Sequence, residues 1–304
     1  MGIYLGIDTS NYTTSMAVCD DNGILYNEKK LLCVKEGERG LRQSDAVFAH
    51  VNNISSVVEK IGKQSITAIG CSVRPRDVEN SYMPCFKVGE AIARTIGSLL
   101  DVPVYEFSHQ TGHVVAAAYS AGCMELLNEK FNAFHVSGGT TEILLCDGTS
   151  GEIKIENIGG TLDLNAGQAI DRTGVMLGLK FPCGMQLEEM ASEGKLPETP
   201  SVCVKGLNCN LSGLENKVIG LKNKSVSDND IALYALKFIE KTLVKLTDNL
   251  RMEYSLPIIY AGGVMSNEMI KSTLSKNQDT YFADKAFSSD NAAGIALLTR
   301  KANK

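Results

Sequence analysis

Residues 4–23 read YLGIDTSNYTTSMAVCDDNG, and residues 133–151 read AFHVSGGTTEILLCDGTSG. Each stretch is an apolar strand, a short turn of Gly, Ser, Thr, Asn or Asp, and a second apolar strand that ends in Cys-Asp. The two copies begin about 130 residues apart, which is close to the length of one domain. They are either two unrelated β-hairpins or the two halves of a duplicated domain whose small-residue turns face a shared nucleotide cleft.

Strands and helices alternate in the rest of the chain, which predicts an α/β fold with layered sheets and helices. Strands are predicted at ITAIGCSV (66–73) and DVPVYEF (101–107), and helices at 89–100, 163–179 and 231–250. Residues 256–263 (LPIIYAGG) read as a buried strand before a helix that we expect Ser266 to cap. We predict one lobe at 1–130, to which residues 290–304 return, and a second lobe at 131–289.

Composition excludes several classes of protein. The net charge of −5 gives no basic excess for non-specific nucleic-acid binding, so tRNA would need a local basic patch or a basic partner. No apolar run approaches the roughly 20 residues of a membrane span, and residues 1–10 do not read as a signal peptide. Nine scattered cysteines without a CxxC pair indicate reduced thiols, so we expect a cytoplasmic protein without a membrane partner.

Histidines are scarce in this chain, and two of its four lie together in HQTGH (109–113). On a helix, His109 and His113 would be stacked neighbours that either face solvent or bind one metal ion. His135 directly precedes the 137–139 turn, which brings a third imidazole towards the predicted cleft. Asp290 begins an apolar helix, where a carboxylate is either an N-cap or a metal ligand.

The Gly/Ser turns suit phosphate, because backbone N–H groups can approach its oxygens without an intervening Cβ. The chain contains neither GxxxxGK[ST] nor GxGxxG, so the P-loop and Rossmann interpretations lose their main support.

Seven motifs together resemble a known family, and they occur in its order. The sequence is similar to the universal tRNA threonylcarbamoyladenosine transferases, which were once classed as sialoglycoprotein endopeptidases, and its departures from their pattern favour a divergent bacterial paralog. That family belongs to the superfamily of actin, sugar kinases and heat-shock chaperone ATPases, so the resemblance implies a two-lobed actin-like ATPase fold. The motifs are GIDTS (6–10), HQTGH (109–113), VSGGTTE (136–142), AGQAIDRTGVMLGLKFPCG (166–184), LSGL (211–214), AGGVMSN (261–267) and DNAAGIA (290–296).

The resemblance also implies a set of functional residues. It gives His109, His113 and Asp290 as ligands of one divalent metal ion, with His135 as a fourth, and these donors suit Fe or Zn equally. It implies that ATP, AMP or a carbamoyl-type adenylate binds near Asp171, Gly184, Gly262, Gly263 and Asn267. Its phosphates or adenosine would lie against His135, Val136, Ser137, Gly138 and Gly139, and Asp8 and Ser10 are the candidate catalytic residues.

Other positions depart from the family pattern. Asn11, Tyr12 and Thr13 stand where the family has Cys-Asp-Glu, and Ser44 replaces a Glu upstream of His50. Arg74-Pro75-Arg76 replaces a Gly-Pro-Gly turn, Thr140 a His or Asn, and Glu215 a Lys. The metal and nucleotide residues are kept while these differ, which suits a paralog with a changed acceptor as well as ordinary drift.

Three functions are compatible with these observations. The first is metal- and nucleotide-dependent transfer of a threonylcarbamoyl group from its adenylate to an acceptor, foremost the N6 amine of a tRNA adenosine next to the anticodon. Partner subunits would help to bring the tRNA, and a homodimer or heterodimer is compatible with this function. The second is a non-catalytic nucleotide-binding paralog that acts through partners. The third, a metallopeptidase, lacks the glutamate that HExxH requires, because residue 110 is Gln.

Overall fold

The computed structural model describes residues 2–10, 12–33, 41–287 and 291–304. These residues form two compact units, Met1–Ser120 with Ala286–Lys304, and Ala121–Lys285. The sequence predicted the boundaries between the two lobes at residues 130/131 and 289/290, whereas the two compact units meet at 120/121 and 285/286. No helix in the described ranges is both long and apolar enough to cross a bilayer.

Unit 1 is built on a five-stranded sheet with the order β3-β2-β1-β4-β5. β1 and β2 form the first hairpin, in which Ser10 lies opposite Thr13, and β4 and β5 continue the sheet in parallel. The strands are β1 Tyr4–Ser10, β2 Thr13–Cys19, β3 Ile24–Leu31, β4 Ala68–Arg74 and β5 Val104–Ser108. The helices are α1 Gln43–Ile61, α2 Phe86–Leu100, α3 His109–Ser120 and α9 Ala292–Ala302.

The core of unit 1 forms where the apolar faces of its central strands meet the helices. Ile7, Met16 and Ile69 are fully buried there. A Cβ at Gly6 would lie 2.3 Å from the carbonyl oxygen of Ala292, so β1 and α9 are in backbone contact. Gly6 is therefore required for the close packing of α9 on β1, the central strand of the sheet.

Unit 2 is built on a seven-stranded sheet with the order β12-β11-β6-β7-β8-β10-β9. Its strands are β6 Lys130–Val136, β7 Thr141–Asp147, β8 Lys154–Thr161, β9 Cys203–Lys205, β10 Asn208–Asn210, β11 Ile258–Ala261 and β12 Thr280–Phe282. Its helices are α4 Ala166–Met176, α5 Gly184–Ser192, α6 Gly213–Asn223, α7 Asp228–Glu253 and α8 Glu268–Leu274. Gly263–Ser266 form a 3₁₀ turn, and a larger core packs around the buried face of α7.

The two units repeat one topology. In unit 2, strands β8, β7, β6, β11 and β12 follow the same order and directions as strands β3, β2, β1, β4 and β5 of unit 1. The two quoted stretches are the corresponding hairpins, β1–β2 and β6–β7. The duplicated sequence pattern therefore reflects a duplicated arrangement of strands.

Several helix limits differ from those expected from the sequence, and α2 and α7 extend about one turn beyond the predicted 89–100 and 231–250. α4 begins at Ala166, because Asn165 and Gln168 form a reciprocal capping box, and it ends just before Gly178 at φ +84°. The expectation for Ser266 is wrong, because Ser266 lies in the 3₁₀ turn. Instead, the side-chain oxygen of Asn267 accepts a hydrogen bond from the backbone N–H of Ile270 and caps α8. All nine cysteines are free thiols.

Candidate functional site

The two closely spaced histidines lie in the first turns of α3, with their side chains in contact. The Nε2 atoms of His109 and His113 are 3.0 Å apart, and the two rings meet edge to face. Two nitrogens bonded to one metal at about 2.0–2.1 Å, with a bond angle of about 90–110°, would be roughly 2.8–3.4 Å apart. The separation of these two ring nitrogens therefore fits a pair of ligands on one metal ion.

A buried carboxylate orients the first histidine. Asp8, on β1, is 1% exposed, and one of its oxygens lies 3.0 Å from His109 Nδ1. Ser72 on β4 donates to the same oxygen. Burial raises the pKa of Asp8, but the charge of His109 and hydrogen bonds from His109, Ser72 and Ser10 outweigh it and lower the pKa. The ionised carboxylate accepts the Nδ1 proton, and in the neutral form of the ring this leaves the Nε2 lone pair for a metal ion.

Asn291 fixes the same histidine from the C-terminal helix. Its Nδ2 atom donates to the backbone oxygen of His109 and also lies 2.8 Å from His109 Nδ1. Because Nδ1 donates its proton to Asp8, the second contact is not a hydrogen bond. Asp8, near the beginning of the chain, therefore orients the ring of His109, and Asn291, near its end, holds the backbone of the same residue.

The structure does not test the other two predicted ligands. Asp290 lies outside the described residues, as does Asn11. His135 belongs to unit 2, where it lies opposite Glu142 in the β6–β7 pairing. Within the described ranges, no group of three or more His, Cys, Asp or Glu side chains could hold a metal ion. The assignment of the third and fourth ligands therefore stays a prediction.

The predicted phosphate-binding turn joins β6 to β7. The hydroxyl oxygen of Ser137 accepts hydrogen bonds from the N–H groups of Gly139 and Thr140, and Ser137 N–H donates to the Thr140 carbonyl. A Cβ at Gly138 or Gly139 would meet nothing within 4 Å, so this surface of the turn is open. The first turn of α4 packs behind it, because Gly167 N–H donates to the Ser137 carbonyl. This open glycine surface suits the close approach of a phosphate.

The remaining predicted nucleotide residues lie in unit 2. Gly262 adopts φ +100°, and a Cβ there would lie 2.3 Å from the carbonyl oxygen of Val136, so the turn after β11 packs on the end of β6. Gly263 is open to solvent, and Asn267 is 8% exposed.

On the neighbouring helices, Asp171 accepts a hydrogen bond of 2.8 Å from Cys183 N–H, directly before Gly184. Burial raises the pKa of Asp171. Its second oxygen has no hydrogen-bond partner among the described residues, which suits a role in binding a ligand hydroxyl.

Sequence reasoning missed His50 as a member of the site. His50 on α1 is fully buried, and its Nδ1 atom lies 2.8 Å from the hydroxyl of Thr14 on β2. Burial lowers its pKa, so the ring is neutral at pH 7. A backbone hydrogen bond with Ser10 and the charge of Asp8 oppose the effect of burial without cancelling it, and they connect His50 to the histidine pair. The useful signal is an isolated histidine on the apolar face of a helix, although a core histidine gives the same pattern.

The positions that depart from the family pattern are mostly at the surface. Arg74 forms an ion pair of 2.6 Å with Asp77, and Asp77 also accepts from Thr111 on α3, which ties this loop to the histidine helix. Tyr12 is 47% exposed, whereas Thr13 is buried. Glu215 on α6 pairs with Arg172 on α4 at 3.0 Å.

Comparison with solved structures identifies the fold. HypF in a phosphate- and nucleotide-bound form matches with a TM-score of 0.61 and 13% identity, over 99% of this chain and 55% of that one. The activator of 2-hydroxyisocaproyl-CoA dehydratase from Clostridium difficile matches with a TM-score of 0.55 and 12% identity, over 99% and 96% of the two chains. The protein therefore has the actin-like ATPase fold, as the sequence predicted.

The sequence comparisons identify the family. Residues 44–297 match the model of TsaD, tRNA N6-adenosine threonylcarbamoyltransferase. The chain belongs to this family of transferases, and the prediction of its family is confirmed.

Two curated relatives show how much of the chain is shared. It is 26% identical to the tRNA N6-adenosine threonylcarbamoyltransferase of Archaeoglobus fulgidus, over 97% of this chain and 89% of that protein. It is also 26% identical to the probable bifunctional tRNA threonylcarbamoyladenosine biosynthesis protein of Thermoplasma volcanium, over 97% of this chain, but spans only 55% of that protein.

Proposed function

We propose that this protein transfers a threonylcarbamoyl group from its adenylate to the N6 amine of a tRNA adenosine next to the anticodon. The observation that carries the proposal is the match of residues 44–297 to a transferase family, a region that contains both the histidine pair and the glycine turn. In this step the amine nitrogen bonds to the carbamoyl carbon and loses one proton to solvent. The bond between that carbon and the phosphate oxygen breaks, and AMP leaves with its phosphate charge.

The proposed role of the histidine pair of unit 1 is to bind one divalent metal ion, Fe or Zn. His109 and His113 would bind it through Nε2, and Asp290 and His135 are the further proposed ligands. When bound, the metal supplies a Lewis acid for the carbamoyl carbonyl. Asp8 keeps the Nδ1 proton on His109, with Ser10 and Ser72 donating to that carboxylate, so Asp8 and Ser10 act as positioning groups for the pair.

In unit 2, the proposed role is to bind the adenylate and to stabilise the leaving AMP. The open turn at Ser137, Gly138 and Gly139, beside His135 and Val136, would receive the phosphate. Asp171, near Gly184, would accept hydrogen bonds from the ribose hydroxyls. Gly262, Gly263 and Asn267 would flank the adenine, and the packing of Gly262 on Val136 supports a shared surface for these groups.

The second candidate function is a non-catalytic nucleotide-binding paralog. Tyr12 and Thr13 favour it, because they replace the acidic residues of the family beside the first turn. The metallopeptidase function receives no support, because the chain belongs to a transferase family and Gln110 cannot act as a general base.

One reconstitution separates these candidates. The protein is incubated with ATP, bicarbonate, threonine, tRNA and the enzyme that makes the adenylate, and the tRNA nucleosides are analysed by mass spectrometry. We expect threonylcarbamoyladenosine from the wild type and little or none from His113→Ala. If the wild type binds metal and nucleotide but forms no product, even when partner subunits are added, the non-catalytic function is correct.

We further propose that partner subunits deliver the tRNA, in a homodimer or heterodimer. The net charge of −5 supports this, since phosphate contacts supply most of the affinity for nucleic acid. The Thermoplasma volcanium relative is named bifunctional and is almost twice as long as the matched region, which also suits a function shared with further domains or subunits.

A further inference from the structure

Unit 2 contains a cavity that the proposed metal and adenylate residues do not explain. Its volume is about 460 Å³, and it lies where β7, β8 and β10 meet the N-terminus of α4. This volume is within the range of about 300–1,000 Å³ that is typical of small-molecule sites. Residues that line it include Gly139, Thr140, Asn157, Thr161, Asn165 and Asn208.

The lining favours an uncharged ligand with several hydrogen-bonding edges. Among the described residues that line the cavity, Glu142 carries the only charge, and the rest of the polar lining is amide, hydroxyl and backbone. The side-chain oxygen of Asn157 accepts from Gly159 N–H, which leaves its NH₂ group for a ligand. Asn208 makes no side-chain hydrogen bond among the described residues. Ile158 and Leu162 add an apolar surface, and Leu162 is 68% exposed.

The cavity and the proposed adenylate residues lie on opposite sides of one turn. The turn after Val136 joins β6 to β7 in the middle of the sheet. Gly262, Gly263 and Asn267 follow β11, the neighbour of β6 on one side, whereas the cavity extends over β7, β8 and β10 on the other. Gly139 belongs to both the turn and the cavity wall. A ligand in the cavity would therefore reach the same glycine turn as the adenylate, but from the other side.

We propose that this cavity binds the acceptor nucleoside, as an adenosine extruded from its RNA strand. The inference rests on the proposed function, in which the amine of an adenosine attacks the carbamoyl carbon of an adenylate whose phosphate lies at the glycine turn. Enzymes that modify a base take it out of its stack and read its edges in a pocket, and Asn side chains are well suited to the adenine edge. The amides of Asn157 and Asn208 would read that edge, with Ile158 and Leu162 against the face of the base.

The test uses 8-azidoadenosine as a photoaffinity probe on the whole protein, with saturating ATP present to fill the adenylate site. Labelled tryptic peptides are sequenced by fragmentation. We expect the label within residues 157–165 of the peptide 155–172, or within the peptide 206–217. Asn208→Ala and Asn157→Ala should each reduce this labelling at least about fivefold, since a good pair of base contacts contributes about 1–3 kcal/mol. Asn223→Ala, on the exposed end of α6, is the matched control and should not change it.

Other outcomes would overturn the inference. They are no specific label, or label only in the peptides 181–195 or 252–271, which would show that the probe binds at the adenylate residues and not in the cavity. Label that ATP removes would make the cavity part of the adenylate site. Transfer activity is measured on the same preparations. Labelling of the cavity without any transfer would refute the proposed function and leave the nucleoside site standing. Transfer that is unaffected by both Asn variants would refute the site alone.

Discussion

The contact between Asp8 and His109 makes a measurable prediction about metal affinity. In Asp8→Asn, the amide oxygen can still accept the Nδ1 proton at 3.0 Å, so the ring keeps its orientation but loses the negative charge behind it. A hydrogen bond to a charged group contributes about 1 kcal/mol more than a neutral one, and loss of a carboxylate behind a metal-bound histidine typically weakens metal binding about 10–100-fold. We therefore expect the dissociation constant for Zn²⁺ to rise at least about tenfold.

The assay is competition between the protein and a chromogenic chelator for Zn²⁺, at fixed pH, with thermal unfolding measured in parallel to establish that each variant is folded. Asp21→Asn, at an exposed position of the same unit, is the charge-matched control and should bind Zn²⁺ as the wild type does. If folded Asp8→Asn binds Zn²⁺ within twofold of the wild type, the carboxylate does not act on a metal through His109. The close approach of His109 and His113 would then be explained by packing alone and not by metal binding.

Three further predictions concern unit 2 and the acceptor. Gly262→Ala should destabilise the protein by about 2–4 kcal/mol, because its Cβ would strike the Val136 carbonyl at φ +100°, whereas Gly263→Ala should be nearly neutral in denaturant unfolding. Burial raises the pKa of Asp171 in the folded state. The ionised carboxylate therefore destabilises the folded protein at pH values above about 3.9, the pKa of Asp in the unfolded chain. Asp171→Asn should thus raise the Tm at pH 7.5 but not at pH 3.5, and an equal gain in Tm at both pH values would contradict this. The same variant should weaken ATP binding about tenfold. In a gel-shift salt series, tRNA should bind the lone protein weakly; tight binding with a steep salt slope would show that its own surface recruits RNA.

Local patterns were sufficient to predict much of the fold. The hairpins at 4–23 and 133–151 are visible because apolar strands flank turns of small residues, and α7 is visible because its buried positions repeat with helical spacing. The start of α4 was less predictable, because Asn165 caps this helix through the reciprocal hydrogen bonds that it forms with Gln168. Ser266 and Asn267 are both good capping residues, and only the 3₁₀ turn before α8 decides between them.

The contacts of the candidate site depend on the strand order, which no local pattern contains. Asp8 and His109 are 101 residues apart in sequence, and they meet because β1 pairs with β4, β4 pairs with β5, and β5 leads directly into α3. Asn291 reaches His109 because Gly6 lets α9 pack on β1. The sequence indicated the histidine pair, but the side chains that orient it could be found only in the structure.

The duplicated topology carries different chemistry in its two copies, because different residues surround the two hairpins. In unit 1, the first strand carries the carboxylate of Asp8 near its end, and β5 leads into a helix that begins with His109. This copy therefore provides a negative charge and imidazole nitrogens. In unit 2, the corresponding strand ends in Ser137-Gly138-Gly139, and the glycines leave backbone exposed on one surface while α4 packs on the other. One copy is therefore suited to polarising a group, and the other to receiving phosphate. A group-transfer reaction that releases AMP needs both properties, which is why we weigh the transferase above the non-catalytic paralog.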